Sequence, residues 1–193
     1  MDTIKLEKKE VIRAYKNANE EGKELLKSVF GADIFNVKIQ DRIKTFQDAC
    51  DELGEGHPFV RAYRNGETNG LNNQPDIEAY LKLRIITAAL NECREPKFTE
   101  DEWRYFPYFV LYTQEEINKM SEETKARVVY CSGSYAGVYG GVISAYAANV
   151  SSYMFAYFGS RLAFRSRKLA EYAGRQFLDI YADFIGNKKK IWN

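Results

Sequence analysis

Apolar positions recur at helical spacing through the first 30 residues, at Ile4, Val11, Ile12, Tyr15, Leu25, Leu26, Val29 and Phe30, among many Lys and Glu. Gly31 is placed to stop that helical stretch, and Gly22 with Asn17 and Asn19 can break it into two helices. Thr45 with Asp48 three residues on forms a capping box for a short helix over FQDACDEL, which Gly54 ends. Residues 54–74 are polar and rich in Gly and Asn, with little periodic apolar content, and read as a long loop. Pro75 suits the first turn of the next helix, which is apolar most of the way round from Ile77 through Tyr80, Leu81, Leu83, Ile85 and Ile86 to Leu90 and so reads as the central buried helix.

The texture then changes. Trp103, Tyr105, Phe106, Pro107, Tyr108, Phe109, Val110, Leu111 and Tyr112 form an aromatic run ending at Thr113, the signature of a strand. Thr113 and Glu116 make a second capping box for a short helix over QEEINKM, and residues 128–130 resume extended structure. Ser166 caps an expected C-terminal helix over RKLAEYAGRQFLDIYADFI, with Leu169, Tyr172, Ala173, Phe177, Ile180, Tyr181 and Phe184 on one face and Gly186 as its stop.

Charge sharpens this picture in one place. Although 28% of the chain is Asp, Glu, Lys or Arg, there is no charged residue between Arg127 and Arg161. The stretch 128–160 is built almost wholly from Tyr, Ser, Gly, Ala, Val and Asn, and six of the 14 tyrosines fall in it. Such residues make adaptable contact surfaces: Tyr supplies a large, stiff, amphipathic contact and the small residues let it lie flat. A membrane span is opposed by Gly140, Gly141, Ser144, Asn149, Ser151 and Ser152, which interrupt every window of about 20 residues that would have to be apolar. A fibrous repeat would need a fixed period, and none is visible. Core strand explains part of the segment, through alternation such as Val138, Gly140, Val142. Phenols buried without a hydroxyl partner cost free energy, so some of these tyrosines are expected at the surface.

Composition narrows the function classes. At 193 residues with 45% hydrophobic content the chain can bury a proper core, and a formal net charge of +1 offers no field for nucleic acid or an anionic membrane. Cys50, Cys93 and Cys131 are odd in number with no CxxC spacing, which argues for reduced thiols and against a disulfide framework or a zinc site. The charged N-terminus leads us to expect a product made in the cytoplasm without a signal peptide, with association with a virion left open.

Candidate chemistry is sparse. His57, the only histidine, sits beside Pro58 in the expected loop with no catalytic spacing around it. Gly137, Gly140 and Gly141 lack the Lys of a P-loop, and no GxSxG, HExxH or EF-hand pattern occurs. The expectation is therefore of no catalytic residues, no metal site and no cofactor. The acidic pairs Asp101 with Glu102 and Glu115 with Glu116 fall at helix starts, where carboxylates favour the dipole.

The blocks IKTFQDAC, YLKLRIITAALNE, DEWRYFPYF and GSRLAFRSRKLAEYAGRQFLDIYADF resemble a family of bacterial and phage proteins with no assigned activity. A looser resemblance is to the variable proteins of diversity-generating retroelements: an uncharged Tyr/Ser/Asn/Gly/Ala stretch precedes a fixed SRLAFR block. In those systems adenine mutation of AAC-type codons reaches Asn, Tyr, Ser, Gly, Ala, Val, Ile, Phe and Cys but never Lys, Glu, Gln, Trp or Met. Every residue of 131–160 except Met154 lies in the reachable set. The resemblance implies a C-type-lectin-like scaffold that displays changeable residues.

The reading is an α+β protein: a helical N-terminal region over 1–98 packed on a small, mostly antiparallel sheet of lectin-like character within 99–193, with a C-terminal helix. Its expected function is non-catalytic recognition of a protein or glycan surface, without nucleic acid or a membrane span. Tyr135, Tyr139, Ser144, Tyr146, Asn149, Tyr153, Phe155 and Tyr157 would supply contacts, and Gly140, Gly141, Gly159, Arg161 and Phe164 the scaffold. The competing reading is a phage or mobile-element assembly protein whose aromatic sheet is a homo-oligomer interface, and an enzyme would need a pocket bringing acidic residues to His57.

Overall fold

A computed structural model describes residues 5–94, 102–132, 139–151 and 160–186, with 130–132, 139–151 and Ser160 described through their backbone. The fold is α+β and helix-rich. Helices α1 (Lys8–Asn17) and α2 (Glu20–Phe30) form the N-terminal pair, and the break falls just before Gly22, at Ala18 and Asn19. The Asn19 side chain accepts the Gly22 N–H at 2.9 Å, which starts α2 there. Gly31, at φ 82, ends α2 in a conformation that favours glycine. Of this pair Val11 and Ile12 are buried on α1, whereas Leu25 and Val29 of α2 are exposed.

Helix α3 (Ile39–Arg42) leads to α4 (Phe46–Leu53), which carries the expected Thr45/Asp48 capping box and ends at Gly54. The expected loop over 54–74 is corrected by the structure: most of it is helix α5 (Pro58–Asn69), followed by a 3₁₀ turn at Leu71–Asn73. Its apolar stripe is only one residue wide, Val60, Tyr63 and Gly66 at a spacing of three, so polar composition hides the period. Gly66 is required by packing, because a Cβ there would lie 2.1 Å from the Asn72 carboxamide oxygen. The Asn72 amide in turn donates to the Tyr63 carbonyl at 3.1 Å.

Helix α6 (Pro75–Leu90) is the hub. Ala79, Leu83, Ile85, Ile86, Thr87, Ala89 and Leu90 are buried, and the helix packs against α4 and α5. It ends in a Schellman arrangement: the Glu92 N–H donates to the Ala89 carbonyl and the Cys93 N–H to the Ala88 carbonyl. Glu92 and Cys93 stand at φ 54 and 59 without being glycine, a left-handed backbone that costs free energy.

Strand β1 (Trp103–Thr113) runs into α7 (Gln114–Asn118) through the expected Thr113/Glu116 capping box, and α8 (Glu122–Lys125) leads to β2 (Val129–Ser132). Strand β3 (Tyr139–Ser151) is the centre of a three-stranded antiparallel sheet in the order β1-β3-β2. A register shift between Tyr108 and Phe109 marks a bulge that leaves Ala145 without a partner on β1.

The expected single C-terminal helix is also corrected. Ser166 caps α9 (Arg167–Gln176), but Phe177 leaves helical geometry at φ −116, ψ 30, and α10 (Leu178–Gly186) follows as a separate helix. The break lets each helix present its own face. Leu169, Ala170 and Ala173 of α9 join Leu83, Ile85 and Ile86 in the main core, while Ala182 and Leu178 of α10 cover Phe109 and Val129 of the sheet. From α9 the Tyr172 hydroxyl donates to the Ile43 carbonyl at 2.5 Å and the Gln176 amide to the Lys44 carbonyl at 2.7 Å. One core thus contains residues from both halves of the chain.

Candidate binding surface

The helices define the two faces of the sheet. Tyr105 and Phe109 of β1 pack into the main core, and Phe109 lies against Tyr181 of α10 with ring centroids 4.9 Å apart. In a strand successive residues alternate faces, so the odd-numbered positions of β1 share the helix-covered side and Arg104, Phe106, Tyr108, Val110 and Tyr112 the other. Antiparallel partners directly opposite one another share a face. Asn149 is registered with Tyr105, Ser144 with Phe109, and Gly140 with Thr113, all on the helix-covered side. Tyr146 is registered with Tyr108, and Gly141 with Tyr112, on the other side. Tyr139, one residue before Gly140 and opposite Ser132, alternates to the side of Tyr146.

The structure therefore brings Tyr139, Gly141 and Tyr146 to one face and separates them from Gly140, Ser144 and Asn149 on the other. Tyr135, Tyr153, Phe155, Tyr157 and Gly159 lie outside the described residues. On the Tyr139/Tyr146 face, Tyr108 is 42% exposed, while Tyr112 packs on Ile117 and Val128. Arg104 and Phe106, further along that face, are buried. Burial lowers the pKa of Arg104, with the charge of Glu102 opposing it. Arg104 is thus a cation registered against Val150 of the charge-free stretch, and sequence reading passed over it. Its signal was there: a single charge inside an aromatic strand at the same parity as Phe106 and Tyr108.

Of the two expected anchors after the stretch, Phe164 is fully buried in the main core, and Arg161 is exposed. The fixing of this block is backbone-led. Tyr105 and Phe164 exchange N–H to carbonyl hydrogen bonds at 3.1 and 2.8 Å. Buried Asn91, just past α6, donates to the Ala163 carbonyl at 2.8 Å and accepts the Arg165 N–H at 3.1 Å. Arg165 reaches Glu92 at 2.5 Å, Arg42 links Glu92 to Glu52 at 3.4 and 3.1 Å, and Lys16 pairs with Glu52. A chain of five alternating charges thus ties α1, α3 and α4 to the ends of α6 and of the SRLAFR block.

Elsewhere the sole histidine and the Cys50 thiol are engaged or buried, and the Cys93 thiol is free and exposed. His57 is the N-cap of α5, its Nδ1 accepting the Phe59 N–H at 3.2 Å, and burial lowers its pKa, so it serves as a neutral cap. It lies in the short connection between α4 and α5, so the expected loop position holds for this residue and the capping role is what the structure adds. Burial pushes the Cys50 thiol up to about 11, which keeps it protonated and unreactive at neutral pH. A cleft of about 520 Å³ between α1, α3 and α4 is lined by Arg13, Lys16, Arg42, Asp48, Asp51 and Glu52 among others. Four of its acids are committed: Glu52 to Lys16 and Arg42, Asp41 to Lys44, Asp48 to the Thr45 capping box, and Asp51 to the Gln47 amide. Among the described residues no group of three or more His, Cys, Asp or Glu is placed to hold a metal ion. No described helix is long and apolar enough to cross a membrane.

Comparison of the chain with protein-family models, with curated proteins and with solved structures finds no match in any of the three.

Proposed function

We propose that this protein is a recognition module whose contact surface is built on the charge-free stretch 128–160, displayed by a sheet that the helical body holds rigid. The observation that carries the reading is the combination of a stretch without a single ionic group and the position of its residues 139–151 as the central strand of the sheet, with Tyr139 and Tyr146 on the face away from α9 and α10. Aromatic side chains on a pinned strand lose little further conformational entropy on binding, which favours affinity per contact. The ligand is a protein or glycan surface, and no step of chemistry is required of the site. The finer form of the reading is a lectin-like display scaffold diversified by a retroelement, in which 131–160 vary and the SRLAFR block stays fixed.

Thermal and urea unfolding of Tyr139→Ala and Tyr146→Ala distinguish display from core. A display residue lowers stability by under about 1 kcal/mol when truncated, whereas a large buried aromatic costs about 3–5 kcal/mol. A loss in the second range at both positions overturns the reading. For the finer form, sequencing the locus is decisive: a neighbouring reverse transcriptase and a near-copy of codons 131–160 differing only at adenines are expected, and invariant codons without such a copy refute it.

A further inference from the structure

The outer edge of β1 is blunted in its first half and open in its second. Tyr105 exchanges both backbone hydrogen bonds with Phe164 on the side away from β3, and this fixes the direction of the strand's polar groups. N–H and C=O groups of alternate residues point the same way, so those of residues 107, 109, 111 and 113 also point to the outer edge. Pro107 has no N–H to offer there, the tolerated place for proline in a sheet. The Thr113 N–H is taken by the Glu116 carboxylate at 2.7 Å. Between them stand Phe109 and Leu111, whose N–H groups donate to nothing among the described residues. Leu111 is 63% exposed. An edge of this kind is a template for another strand.

We infer that the occupant is a second copy of the same strand, paired antiparallel about Val110. In that register Phe109 faces Leu111 of the other copy and Leu111 faces its Phe109, giving four backbone hydrogen bonds that use all four open donors. The next pair outward joins Pro107 to Thr113, where neither residue has a donor left, so the ladder closes at both ends without an orphan N–H. Charge favours self-pairing. A two-fold contact sets each residue against its own mirror, where like charges repel, and residues 105–113 carry no charge at all. Tyr108 meets Tyr112 across the seam on one face and Leu111 meets Phe109 on the other. Thr113 is the last residue of β1, so the partner strand leaves the edge at α7, short of the place Phe164 occupies. The product is a continuous six-stranded sheet in the order β2-β3-β1-β1-β3-β2, with the two charge-free central strands in one surface. This inference stands on β1 alone and holds whichever ligand that surface takes.

The test is sedimentation equilibrium of the full-length protein from about 1 to 200 µM, the range in which a weak to standard interface populates dimer. The wild type is expected to dimerise, and Leu111→Lys and Leu111→Pro to remain monomeric, with thermal midpoints matching the wild type's at the dilute end of the range, where it too is monomeric. The lysine places like charges near the two-fold axis. The proline removes an outward donor without touching the β1–β3 ladder. Hydrogen exchange should slow at Phe109 and Leu111 as concentration rises. A wild type that stays monomeric at 200 µM overturns the inference, and so does a dimer that survives Leu111→Lys. Should Leu111→Pro fail to fold, Leu111→Lys alone carries the test, since the side chain it replaces is already exposed.

Discussion

Helix α6 and strand β3 are the central elements of their halves, and they occupy the middle of the molecule by opposite means. Helix α6 keeps its charges and lets them reach around its neighbours: the Arg84 guanidinium sits 4.0 Å from the centre of the Phe59 ring, and Lys82 pairs with Glu78 at 2.6 Å while lying over the Phe46 and Tyr63 rings. Strand β3 has no charges to place and is built from Gly, Ala, Ser, Val and Tyr with one Ile and one Asn. The helical body is stitched by local side-chain caps and by ionic pairs and side-chain-to-backbone hydrogen bonds that reach across the sequence, such as Arg165 to Glu92 and Tyr172 to the Ile43 carbonyl. The sheet is held by its ladder, by helices α9 and α10, and by the SRLAFR block. A surface that has to change its ligand tolerates substitution best where no fixed ionic partner is lost with each change, and β3 meets that condition while α6 does not.

The contrast depends on the SRLAFR block being the joint between the two regions, and Phe164 is where it breaks most easily. Phe164→Ala removes a fully buried ring that contacts the core of both halves and flanks the Tyr105 bridge. We expect a loss of about 3–5 kcal/mol in urea unfolding, a large share of a total of about 5–15 kcal/mol. A loss below about 1 kcal/mol would mean that sheet and body are joined elsewhere and that the comparison is wrongly drawn.

Asn91 sharpens it at smaller scale. Its side chain satisfies one buried carbonyl and one N–H of the block, so Asn91→Ala leaves both without their partner at a cost of about 2–3 kcal/mol. Asn91→Asp retains the acceptor for the Arg165 N–H but sets a buried carboxylate against the Ala163 carbonyl oxygen, so at pH 7 it should cost at least as much as Asn91→Ala. A loss clearly smaller for Asn91→Asp than for Asn91→Ala would show that the bond to the Arg165 N–H is the one that matters.

Legibility in the sequence follows the same division. Elements with strong local signals were readable to within a residue or two: the Thr45/Asp48 and Thr113/Glu116 capping boxes, the Pro75 start of α6, and the aromatic run of β1. Helix α5 was hidden because its buried face is a single file of Val60, Tyr63 and Gly66, and a glycine in that file reads as a loop residue until Asn72 is seen against it. The break at Phe177 was hidden because Leu169 through Phe184 keep helical periodicity across it. Only the tertiary demand that α10 cover Phe109 and Val129 turns the chain. For the candidate surface, the run without charge was plain and alternation alone separates Asn149 from Tyr146, but the bulge at Ala145 shifts parity, so no count along the sequence could assign Ser144 to the face opposite Tyr146. Asn91 carried no local signal at all, since its partners lie some 70 residues away.

The smallest effect tests the ionic half of the contrast. Burial raises the pKa of the Glu92 carboxyl, but the hydrogen bond and charge of Arg165, with Arg42 and Lys16 behind it, outweigh burial and hold it below the usual carboxylate value. A depressed folded-state pKa contributes stability that is present above the unfolded value, near 4.5, and is lost as pH falls through the folded one. Glu92 is 47% exposed, so solvent screens the pair and Glu92→Gln should cost under about 1 kcal/mol at pH 7. That difference from the wild type should hold down to about pH 5, shrink below it, and diminish in 1 M salt as screening tightens. Tyr146→Ala, made in the uncharged strand, should show a pH- and salt-independent offset over the same range. If the Glu92→Gln difference instead persists unchanged at pH 3, the carboxylate is not held by its arginines, and the body owes its cohesion to packing alone, as the sheet does.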